Sequence, residues 1–400
     1  MYDVIVSGAG PSGSRCADIL AQKGFKVALI ERDVSWRKPC GGSVNKCILD
    51  DYPQLLNKIS VQKINGVKLF SPVFDIIEEK WEKDKFGLIV DRLEFDNYLR
   101  DCAVESGAEL FDKNVSYDFI FKNQQKIGIK TRTPSGTKEY YGKIFVVADG
   151  MSSKLALRSG LRKKWDISEL SMCKCALFKT ENLTDDHCID LFFRASRGYG
   201  WIFPLGNDII NVGMGIVGKD ILDFNLNEEF EKFKQQKYLK DNYLPDLKNK
   251  QLWCEAFPVA ATGVAKKIYG DNIMIIGDAA GMVCPANGEG LAFAVKAGRI
   301  AAKVAVNAFE KDDFSRKTLK EYKHNPEIKK MIRKFNMDNI TTKSFSKLIV
   351  ENHKYFFKKI NNDPKLKRDL LDLVFFQQKT SFRLQKSGIS TILKKKFNLI

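Results

Sequence analysis

The chain has 400 residues, which is more than one ordinary domain holds and suits two or three packed units. Its hydrophobic fraction of 44% is typical of a globular protein and excludes disorder as the default state. No stretch reaches the roughly 18 uninterrupted apolar residues that a membrane-spanning helix needs. Residues 1–7 lead directly into a strand pattern, so we expect no secretory signal.

The net charge is +17, with a pI near 9.3, and such a field attracts anionic partners. Much of the excess lies in the C-terminal region, in runs such as 358–359 and 394–396, where bulky apolar residues are interleaved. Because no nucleic-acid motif is present, we favour a membrane surface or an acidic protein as the partner and expect no nucleic acid. A solvated helical face explains the lysines equally well.

The nine cysteines are an odd number, and none has the paired C-x-x-C spacing of a zinc site. We therefore expect reduced thiols, no metal site and a cytoplasmic protein, with peripheral contact at the cytoplasmic membrane face as an open alternative. Cys173 and Cys175 are predicted on one face of a strand. His187, His324 and His353 are isolated, so we assign them no metal or catalytic role.

The first 31 residues have the pattern of a dinucleotide-binding βαβ unit. A short apolar strand over 3–7 runs into a G-x-G-x-x-G turn at 8–13, and a helical segment follows. A second strand over 25–30 ends at Glu31. The order of strand, turn, helix, strand and terminal carboxylate predicts a dinucleotide site.

Each position of this unit has a chemical reason. Gly8 makes the tight turn, Gly10 lets the backbone approach a pyrophosphate, and Gly13 lets the helix pack closely on the strand. The helix N-terminus offers free N–H groups and the positive end of its dipole to the phosphates. A carboxylate at the position of Glu31 binds the ribose hydroxyls of adenosine.

A second motif far downstream decides between FAD and NAD. An apolar strand over 271–276 enters Gly-Asp-Ala-Ala-Gly at 277–281, and a Gly-Glu-Gly segment precedes an Ala-rich helix over 291–309. Here the chain looks like the flavoprotein family built on the glutathione-reductase type of Rossmann domain. Two further markers resemble that family: the strand and turn at 146–150, and Arg92 in an R-x-x-F-D element.

This resemblance implies FAD as the cofactor. It makes Asp278 the ligand of the ribityl chain, and it lets Gly290 and Leu291 offer backbone N–H groups to the flavin edge that becomes negative on reduction. The cofactor-binding residues that the turn and the resemblance predict are Gly8, Gly10, Pro11, Ser12, Gly13, Glu31, Arg32, Cys40, Gly41, Gly42, Arg92, Val115, Asp278, Gly288, Gly290 and Leu291.

A second G-x-G-x-x-G string at 213–218 is interpreted differently. Neither an Ala-rich helix nor a second strand follows it, so we take its glycines as part of a sheet. The chain then has no evident fixed NAD(P)H domain. Its electron donor is either transiently docked NAD(P)H or a protein such as ferredoxin, and an acidic ferredoxin suits the basic surface.

Three segments resemble the geranylgeranyl reductase family: 37–43 with its Cys-Gly-Gly, 198–205 with its Tyr-x-Trp-x-Phe-Pro, and 284–290. The resemblance covers roughly residues 1–310. It implies an enzyme that hydrogenates isoprenoid double bonds in archaeal lipids, chlorophyll side chains or quinone tails. Archaeal lipid members more often read Cys-Gly-Glu in the first segment, so Gly42 and Ser43 are a departure that leaves the substrate's head group open.

The aromatic segment predicts a substrate face. Tyr199, Trp201 and Phe203 alternate along a strand and share one face, which with Pro204 is predicted to line an apolar tunnel beside the flavin. Core packing is the alternative. An isolated alkene accepts hydride more easily when a proton donor gives it carbocation character, and Cys40 and Tyr199 are the candidate catalytic residues for that step, beside confined water. A merely neighbouring role for Cys40 stays open.

The predicted fold class is α/β, or α+β overall. It combines a glutathione-reductase-type Rossmann FAD domain, an antiparallel-sheet substrate domain and a helical, basic C-terminal region. The C-terminal region is predicted to cover the tunnel mouth, to rest on anionic lipid, or to serve as core cover alone. The predicted bounds are 1–60, 88–155 and 265–310 for the FAD domain, 61–87 and 156–264 for the sheet domain, and 311–400 for the C-terminal region.

Two rival functions fit the same cofactor. The first is a flavin monooxygenase or halogenase on the same scaffold; halogenases carry a Trp-x-Trp-x-Ile-Pro string, whose first Trp and Ile are missing at 199–204. The second is an electron-transfer flavoprotein that reduces a membrane quinone. Product hydroxylation linked to oxygen consumption indicates the first rival, and reoxidation by quinone without saturation of any prenyl chain indicates the second.

Overall fold

The structure is a computed structural model. It describes residues 1–82, 85–181, 188–193, 198–243, 251–260 and 263–375, and in 340–351 and 372–375 it describes the backbone alone. The lysine run at 394–396 and His187 lie outside the described residues, so the predictions made on them stay predictions.

The described residues form three β-sheets with helices on their faces. The strands in chain order are β1 (Tyr2–Ser7), β2 (Val27–Ile30), β3 (Ser43–Asn45), β4 (Val61–Ile64), β5 (Gly66–Phe70), β6 (Ile76–Lys80), β7 (Gly87–Val90), β8 (Glu109–Phe111), β9 (Val115–Lys122), β10 (Gln125–Thr133), β11 (Gly136–Val147), β12 (Leu170–Lys179), β13 (Cys188–Phe193), β14 (Gly198–Gly206), β15 (Ile209–Val217), β16 (Gln251–Ala260), β17 (Tyr269–Gly270) and β18 (Ile273–Ile275). The α-helices are α1 (Pro11–Gln22), α2 (Leu55–Lys58), α3 (Arg92–Glu105), α4 (Lys154–Arg158), α5 (Asp220–Asp223), α6 (Leu226–Lys234), α7 (Lys237–Asn242), α8 (Leu291–Glu310), α9 (Arg316–Leu319), α10 (Glu321–His324), α11 (Pro326–Glu351), α12 (His353–Asn361) and α13 (Pro364–Phe375).

The first sheet is the core of the dinucleotide unit. Its strand order is β17-β18-β11-β1-β2-β8, with β1 parallel to both β2 and β11, and β9 and β10 extending from β11 as antiparallel strands. The central strands β1 and β2 are buried along most of their length. Continuous apolar runs such as these form parallel strands that are covered on both faces.

Helices α1 and α8 pack against each other on this sheet at the closest approach their backbones allow. A Cβ added to Gly298 of α8 would lie 2.2 Å from the carbonyl oxygen of Ser12 and 3.2 Å from the amide nitrogen of Cys16. Both neighbours are backbone atoms, so neither has a side-chain rotation that would relieve the contact. The helix that carries the downstream motif is therefore fixed directly on the helix of the glycine turn.

The second sheet has seven strands in the order β16-β12-β15-β14-β13-β5-β6. It was predicted as antiparallel, and all but one of its pairs are; β13 and β5 run parallel, so the sheet is mixed. Alternation of side chains predicts a strand without its direction. Since β5 and β13 are more than a hundred residues apart, no hairpin imposes an antiparallel pairing on them.

A third, three-stranded sheet joins the two larger ones, in the order β3-β7-β4. β3 directly follows the Cys-Gly-Gly segment, and β7 leads into α3. β4, at the predicted start of the substrate domain, pairs with β7 in this small sheet. Its position places the segment around Cys40 between the first and second sheets.

The two faces of the second sheet are covered by different helices. One face packs with Phe230, Phe233 and Leu239 of α6 and α7. The other face, which carries Trp201 and Phe203, packs with apolar side chains of the C-terminal helices α12 and α13, namely Phe356, Phe357, Ile360, Leu366, Leu370 and Leu371. The predicted helical C-terminal region thus covers the predicted substrate face. Among the described helices, none is both long and apolar enough to cross a membrane.

The contact between α1 and α8 predicts the effect of one methyl group. Gly298→Ala forces the Cβ against the backbone of α1, and we expect the free energy of unfolding to fall by about 1–3 kcal/mol although alanine favours helices. Urea unfolding of the purified variant measures this. Lys303→Ala, exposed on the same helix, is the control and is expected to change stability by less than about 0.5 kcal/mol. Equal stability of the two variants would contradict the packing described.

Candidate active site

In the glycine turn, Gly8 and Gly13 are in close contact with neighbouring backbone atoms, whereas Gly10 has free space beside it. A Cβ on Gly8, whose φ is +101°, would lie 2.4 Å from the oxygen of Ala148, and one on Gly13 would lie 1.8 Å from the oxygen of Gly8. A Cβ on Gly10 would meet nothing within 4 Å, directly at the N-terminus of α1. The turn therefore packs helix on strand and leaves space at Gly10 for a phosphate group.

Glu31 holds the other end of the unit. Its Oε2 accepts the N–H of Ala9 at 2.7 Å, and its Oε1 accepts the N–H groups of Arg32 at 2.8 Å and Asp33 at 3.2 Å. The carboxylate thus ties the end of β2 to the glycine turn at the place where ribose hydroxyls are expected.

Arg32 and Val115, both predicted to bind the cofactor, are neighbours, in the chain, of residues that bond to Glu31. The guanidinium of Arg32 stacks over the ring of Trp36 at 4.1 Å. Val115 follows Asn114, whose N–H donates to the carbonyl of Glu31 at 2.8 Å, and it is 43% exposed. The structure brings both residues to the adenosine end of the predicted site.

Asp278 lies on a 3₁₀ turn (Gly277–Ala280) directly after β18. Its carboxylate forms an ion pair with Lys38, which reaches across from the segment before Cys40. The turn is pressed against α1, because a Cβ on Gly277 would lie 2.5 Å from the hydroxyl of Ser12. Pro11 and Ser12 at the start of α1 are thereby brought next to the downstream motif.

The segment before α8 is an ordered loop. Cys284 donates its N–H to the carbonyl of Glu289, and Glu289 donates its own N–H to Oδ1 of Asn287 at 3.0 Å. The hydroxyl of Tyr199 donates to the carbonyl of Asn287 at 2.7 Å. Gly288 has a positive φ of +73°, and Gly290 is the N-cap before Leu291. The aromatic strand thus holds the loop that presents the N-terminus of α8.

The Cys40 loop is bonded to the second sheet through the side-chain amide of Asn211, which the indole of Trp201 holds in place. The Asn211 side chain donates from Nδ2 to the carbonyl of Cys40 at 2.8 Å, and Trp201 donates from Nε1 to Oδ1 of Asn211 at 2.9 Å. A Cβ on Gly41 would lie 2.6 Å from the Phe203 ring. Gly42, with a φ of +82°, leaves no room for a side chain against the carbonyl of Val90. Gly41 thus lets this loop lie against the aromatic face, and Gly42 lets it lie against Val90.

Arg92 begins α3 and is buried, 4% exposed. Its guanidinium makes two hydrogen bonds to Asp96, at 2.8 and 3.2 Å, and it also interacts with the thiol of Cys40. Asp91, the N-cap of the same helix, pairs with Arg37. A buried positive charge is therefore held beside the sulfur by the R-x-x-F-D element.

Tyr199, Trp201 and Phe203 do share one face, with ring centroids 5.8 and 6.1 Å apart along the strand. Pro204 does not join them: it pairs with Ile210 and lies on the opposite face, because side chains alternate along β14. Along the described part of the aromatic face the side chains are packed. The opening there is a cavity of about 10 Å³ beside Cys40, also lined by Arg92, Leu177, Leu205 and Asn211.

The second glycine string lies in β15 and not in a βαβ unit. A Cβ on Gly213 would lie 2.2 Å from the Trp201 indole, and one on Gly215 would lie 3.1 Å from the sulfur of Cys173. These glycines make room for the aromatic face. The interpretation of the string as sheet glycines is confirmed.

Two family models match the chain: the geranylgeranyl reductase catalytic domain over residues 171–250 and the Thi4 family over residues 1–135. A digeranylgeranylglycerophospholipid reductase of Methanococcoides burtonii is 31% identical over 331 residues, which cover 80% of this chain and 79% of that protein. The enzyme of the same name from Methanocaldococcus jannaschii is 32% identical over 345 residues, covering 80% and 81%. The chain belongs to the geranylgeranyl reductase family.

Two solved structures confirm the fold. A geranylgeranyl bacteriochlorophyll reductase-like protein of Thermoplasma acidophilum has a TM-score of 0.80 at 23% identity, covering 100% of this chain and 99% of that one. The flavin-dependent brominase Bmp2 has a TM-score of 0.71 at 20% identity, covering 93% and 92%. At these identities the likeness shows the fold alone, and it confirms the predicted class. Family membership implies a flavin cofactor, and the open space at Gly10 fits its phosphates.

Three residues of this geranylgeranyl reductase site were not predicted as such: Lys38, Asn211 and Glu289. The sequence does mark Asn211 as unusual, since it is a polar residue between Ile210 and Val212 in an apolar strand. In the structure its side chain is buried, with 4% exposed. Lys38 and Glu289 stand in quoted motifs, but nothing in the sequence showed which partners they meet. Their roles depend on segments that are far apart in the chain.

Burial favours the protonated form of two carboxyls near the predicted cofactor path. Burial raises the pKa of Glu289 to about 7 and that of Asp149, in the strand-and-turn marker at 146–150, also to about 7. Glu289 Oε1 accepts the N–H of Asn45 at 3.2 Å, and the positive charges of Lys334 and Lys296 oppose the rise in its pKa without cancelling it. Asp149 Oδ1 is buried without a hydrogen-bond partner in the described part of the chain.

The raised pKa of Glu289 predicts a pH dependence of stability. Between pH 4.5 and 7 the native state keeps a proton that the unfolded state has lost, so Glu289 lowers the free energy of unfolding as the pH rises. Glu289→Gln removes this effect. We expect the stability of the variant relative to the parent to increase by about 1–3 kcal/mol over this range, measured by urea unfolding.

Glu310→Gln, at the exposed end of α8, serves as the control for charge removal. Its stability difference from the parent protein is expected to stay constant over the same pH range. An equally constant difference for Glu289→Gln would show that Glu289 is not held protonated by burial.

Proposed function

We propose that the protein is an FAD-dependent oxidoreductase acting on CH–CH groups, which hydrogenates the double bonds of geranylgeranyl chains in membrane lipids. Its relatives are named as reductases of digeranylgeranylglycerophospholipids. The observation that carries the proposal is the pair of hydrogen bonds from Trp201 through Asn211 to the carbonyl of Cys40. It fixes an apolar aromatic face beside the loop that borders the predicted flavin position.

The residues that would hold FAD follow the order of the chain. The glycine turn and the N-terminus of α1 would bind the pyrophosphate, and Glu31 would bind the ribose. Asp278 would bind the ribityl chain, exchanging its ion pair with Lys38 for ribityl hydroxyls. Gly290 and Leu291, at the N-terminus of α8, would stabilise negative charge on the flavin.

The substrate side is the apolar layer between the second sheet and the C-terminal helices. Trp201 and Phe203 are 5% and 7% exposed in this layer. The ring centroids of Phe357 in α12 and Phe193 in the sheet are 6.3 Å apart. A prenyl chain matches such a layer in polarity, since it offers apolar surface alone. Because the layer is packed, the chain is admitted when α12 and α13 separate from the sheet.

The proton is the part of the reaction that this chain must supply. An isolated double bond accepts hydride poorly, because nothing beside it holds a carbanion. When bound, reduced FAD supplies the hydride. Cys40 is the proposed proton donor, since its thiol contacts the guanidinium of Arg92 and lines the cavity beside the aromatic face.

Tyr199 is proposed as a residue of the substrate face that also positions the loop before α8. Its hydroxyl proton is directed to the carbonyl of Asn287, and burial raises its pKa, so the proton stays on the phenol. This arrangement fits a fixed structural hydrogen bond better than a proton that leaves in each turnover.

The electrons are proposed to come from a docked donor, either ferredoxin or NAD(P)H. Since the second glycine string belongs to β15, it provides no fixed nicotinamide site. A net charge of +17 favours encounter with an acidic ferredoxin. We place the enzyme in the cytoplasm, in peripheral contact with the membrane that holds its lipid substrate.

The proposed function predicts a mass change in the substrate. Incubation of dithionite-reduced enzyme with a digeranylgeranyl phospholipid is expected to raise the lipid mass in steps of two hydrogens, as measured by mass spectrometry. Enzyme without dithionite is the control and is expected to leave the lipid unchanged. No mass gain with several prenyl chain types would overturn the proposal, as would a gain of oxygen or halogen, which the rival monooxygenase or halogenase gives.

The proposed proton donor predicts a loss of turnover without loss of cofactor. Cys40→Ser is expected to slow alkene reduction by about 100-fold, because serine is a far weaker acid, while the bound flavin, read from its visible absorbance, stays constant. Cys102→Ser, on α3 and away from the aromatic face, is the matched control and is expected to keep full activity. Undiminished alkene reduction by Cys40→Ser would remove Cys40 from the mechanism.

A further inference from the structure

A turn between β5 and β6 presents apolar side chains to solvent. We call residues 71–76 the apolar tip. Within it Val73 is 53% exposed, Phe74 38% and Ile76 43%. Three neighbouring exposed apolar residues at the edge of a sheet form a patch of the kind that marks an interaction surface.

The tip is a turn closed by its own hydrogen bonds. The backbone N–H of Ser71 donates to the carbonyl of Asp75 at 2.9 Å. The hydroxyl oxygen of Ser71 accepts the N–H groups of Val73 at 3.2 Å and Asp75 at 2.9 Å. Phe74 has a φ of +67°, a conformation that costs a bulky residue free energy. The chain thus keeps a strained backbone that holds Val73 and Phe74 outward.

Exposed lysines flank the tip on two sides. On one side is α7, whose Tyr238 ring lies 6.4 Å from that of Phe74 and whose Lys237 and Lys240 are exposed. On the other side is α12, whose His353 Nδ1 lies 3.4 Å from the Asp75 carboxylate. Asp241 pairs with Lys237, and Glu78 is exposed on β6, so acidic groups are present as well.

The balance of charge on the α12 side is strongly positive. Lys354 and Lys358, four residues apart, form an exposed row on α12, and no acidic residue occurs between 352 and 362. Residues 352–371, the part of α12 and α13 whose side chains the structure describes, contain six basic and two acidic side chains and so carry a net charge of +4. An apolar tip next to such a surface complements an anionic bilayer, which takes up apolar side chains and binds lysines at its phosphates.

The same helix connects this surface with the proposed substrate layer. The inner side of α12 packs Phe356, Phe357 and Ile360 into the cluster that contains Trp201 and Phe203. Its outer side carries the lysine row. A bilayer that contacts the outer side is therefore one helix away from the aromatic face.

We propose that the apolar tip and the lysine row of α12 form a docking surface for an anionic lipid bilayer, and that prenyl chains pass from the bilayer into the layer beneath α12. The second part rests on the proposed function, while the first stands on the exposed residues and their charge. Docking places the opening of the substrate layer at the membrane, so that the lipid tail need not cross water.

Vesicle binding tests the docking surface without reference to catalysis. The full-length protein is expected to sediment with vesicles of phosphatidylcholine and phosphatidylglycerol, less in high salt, and weakly with phosphatidylcholine alone. In the double variant Val73→Ser/Phe74→Asn the apolar groups are gone, and asparagine tolerates the positive φ at position 74. We expect at least about tenfold weaker vesicle binding for this variant and for Lys354→Gln/Lys358→Gln.

Phe121→Ser is the matched control, because Phe121 is 54% exposed on β9 of the first sheet, away from the tip. It is expected to bind vesicles like the parent protein. Parent-like binding by both double variants would overturn the docking surface, and so would a tip-dependent dimer in analytical ultracentrifugation that binds no vesicles.

Activity measurements separate this inference from the proposed function. The tip variant is expected to reduce a prenyl lipid dispersed in detergent at the parent rate, but to reduce the same lipid held in anionic vesicles at least about tenfold more slowly. Equal rates on vesicles would overturn the proposed entry route. If the parent protein binds vesicles but reduces neither form of the lipid, the proposed function fails while the docking surface stands.

Discussion

The hydrogen bonds from Trp201 to Asn211, and from Asn211 to the carbonyl of Cys40, are the constraint on which the rest of the site depends. They join the second sheet to a loop of the dinucleotide unit. The bond from Trp201 to Asn211 is buried, and the bond from Asn211 to Cys40 is partly buried. A buried amide without its partners costs about 1–3 kcal/mol, so the loop and the sheet hold one another in a single arrangement. The aromatic face and the predicted flavin position are therefore set by the same side chain.

Glycines make this arrangement sterically possible. Gly41 lets the Cys40 loop touch the Phe203 ring, and Gly213 lets the Trp201 indole lie across β15. On the other side of the site, Gly298 brings α8 onto α1, which places the loop before α8 against the glycine turn. The geranylgeranyl reductase chain thus uses close backbone contacts to bring three distant segments together. The proposed FAD and prenyl chain must also lie close together, because hydride passes directly from one to the other.

The sequence predicted the parts of the fold that depend on local pattern. The βαβ unit, Asp278 at the end of a buried strand and the long helix α8 all follow from neighbouring residues. The parallel pairing of β5 with β13, the position of Pro204 and the contact of Lys38 with Asp278 do not, because each is decided by residues far away in the chain. The covering of the aromatic face by α12 was predicted only in outline, since the amphipathic pattern shows an apolar side without naming its partner.

We propose that this fold delivers reducing equivalents from its flavin to a prenyl double bond. The most direct measurement is the visible absorbance of the reduced enzyme when a digeranylgeranyl lipid is added without oxygen. We expect the flavin to be reoxidised by the unsaturated lipid and to stay reduced with its fully saturated counterpart. Flavin that stays reduced with both lipids, yet is reoxidised at once by oxygen or a quinone, would contradict it.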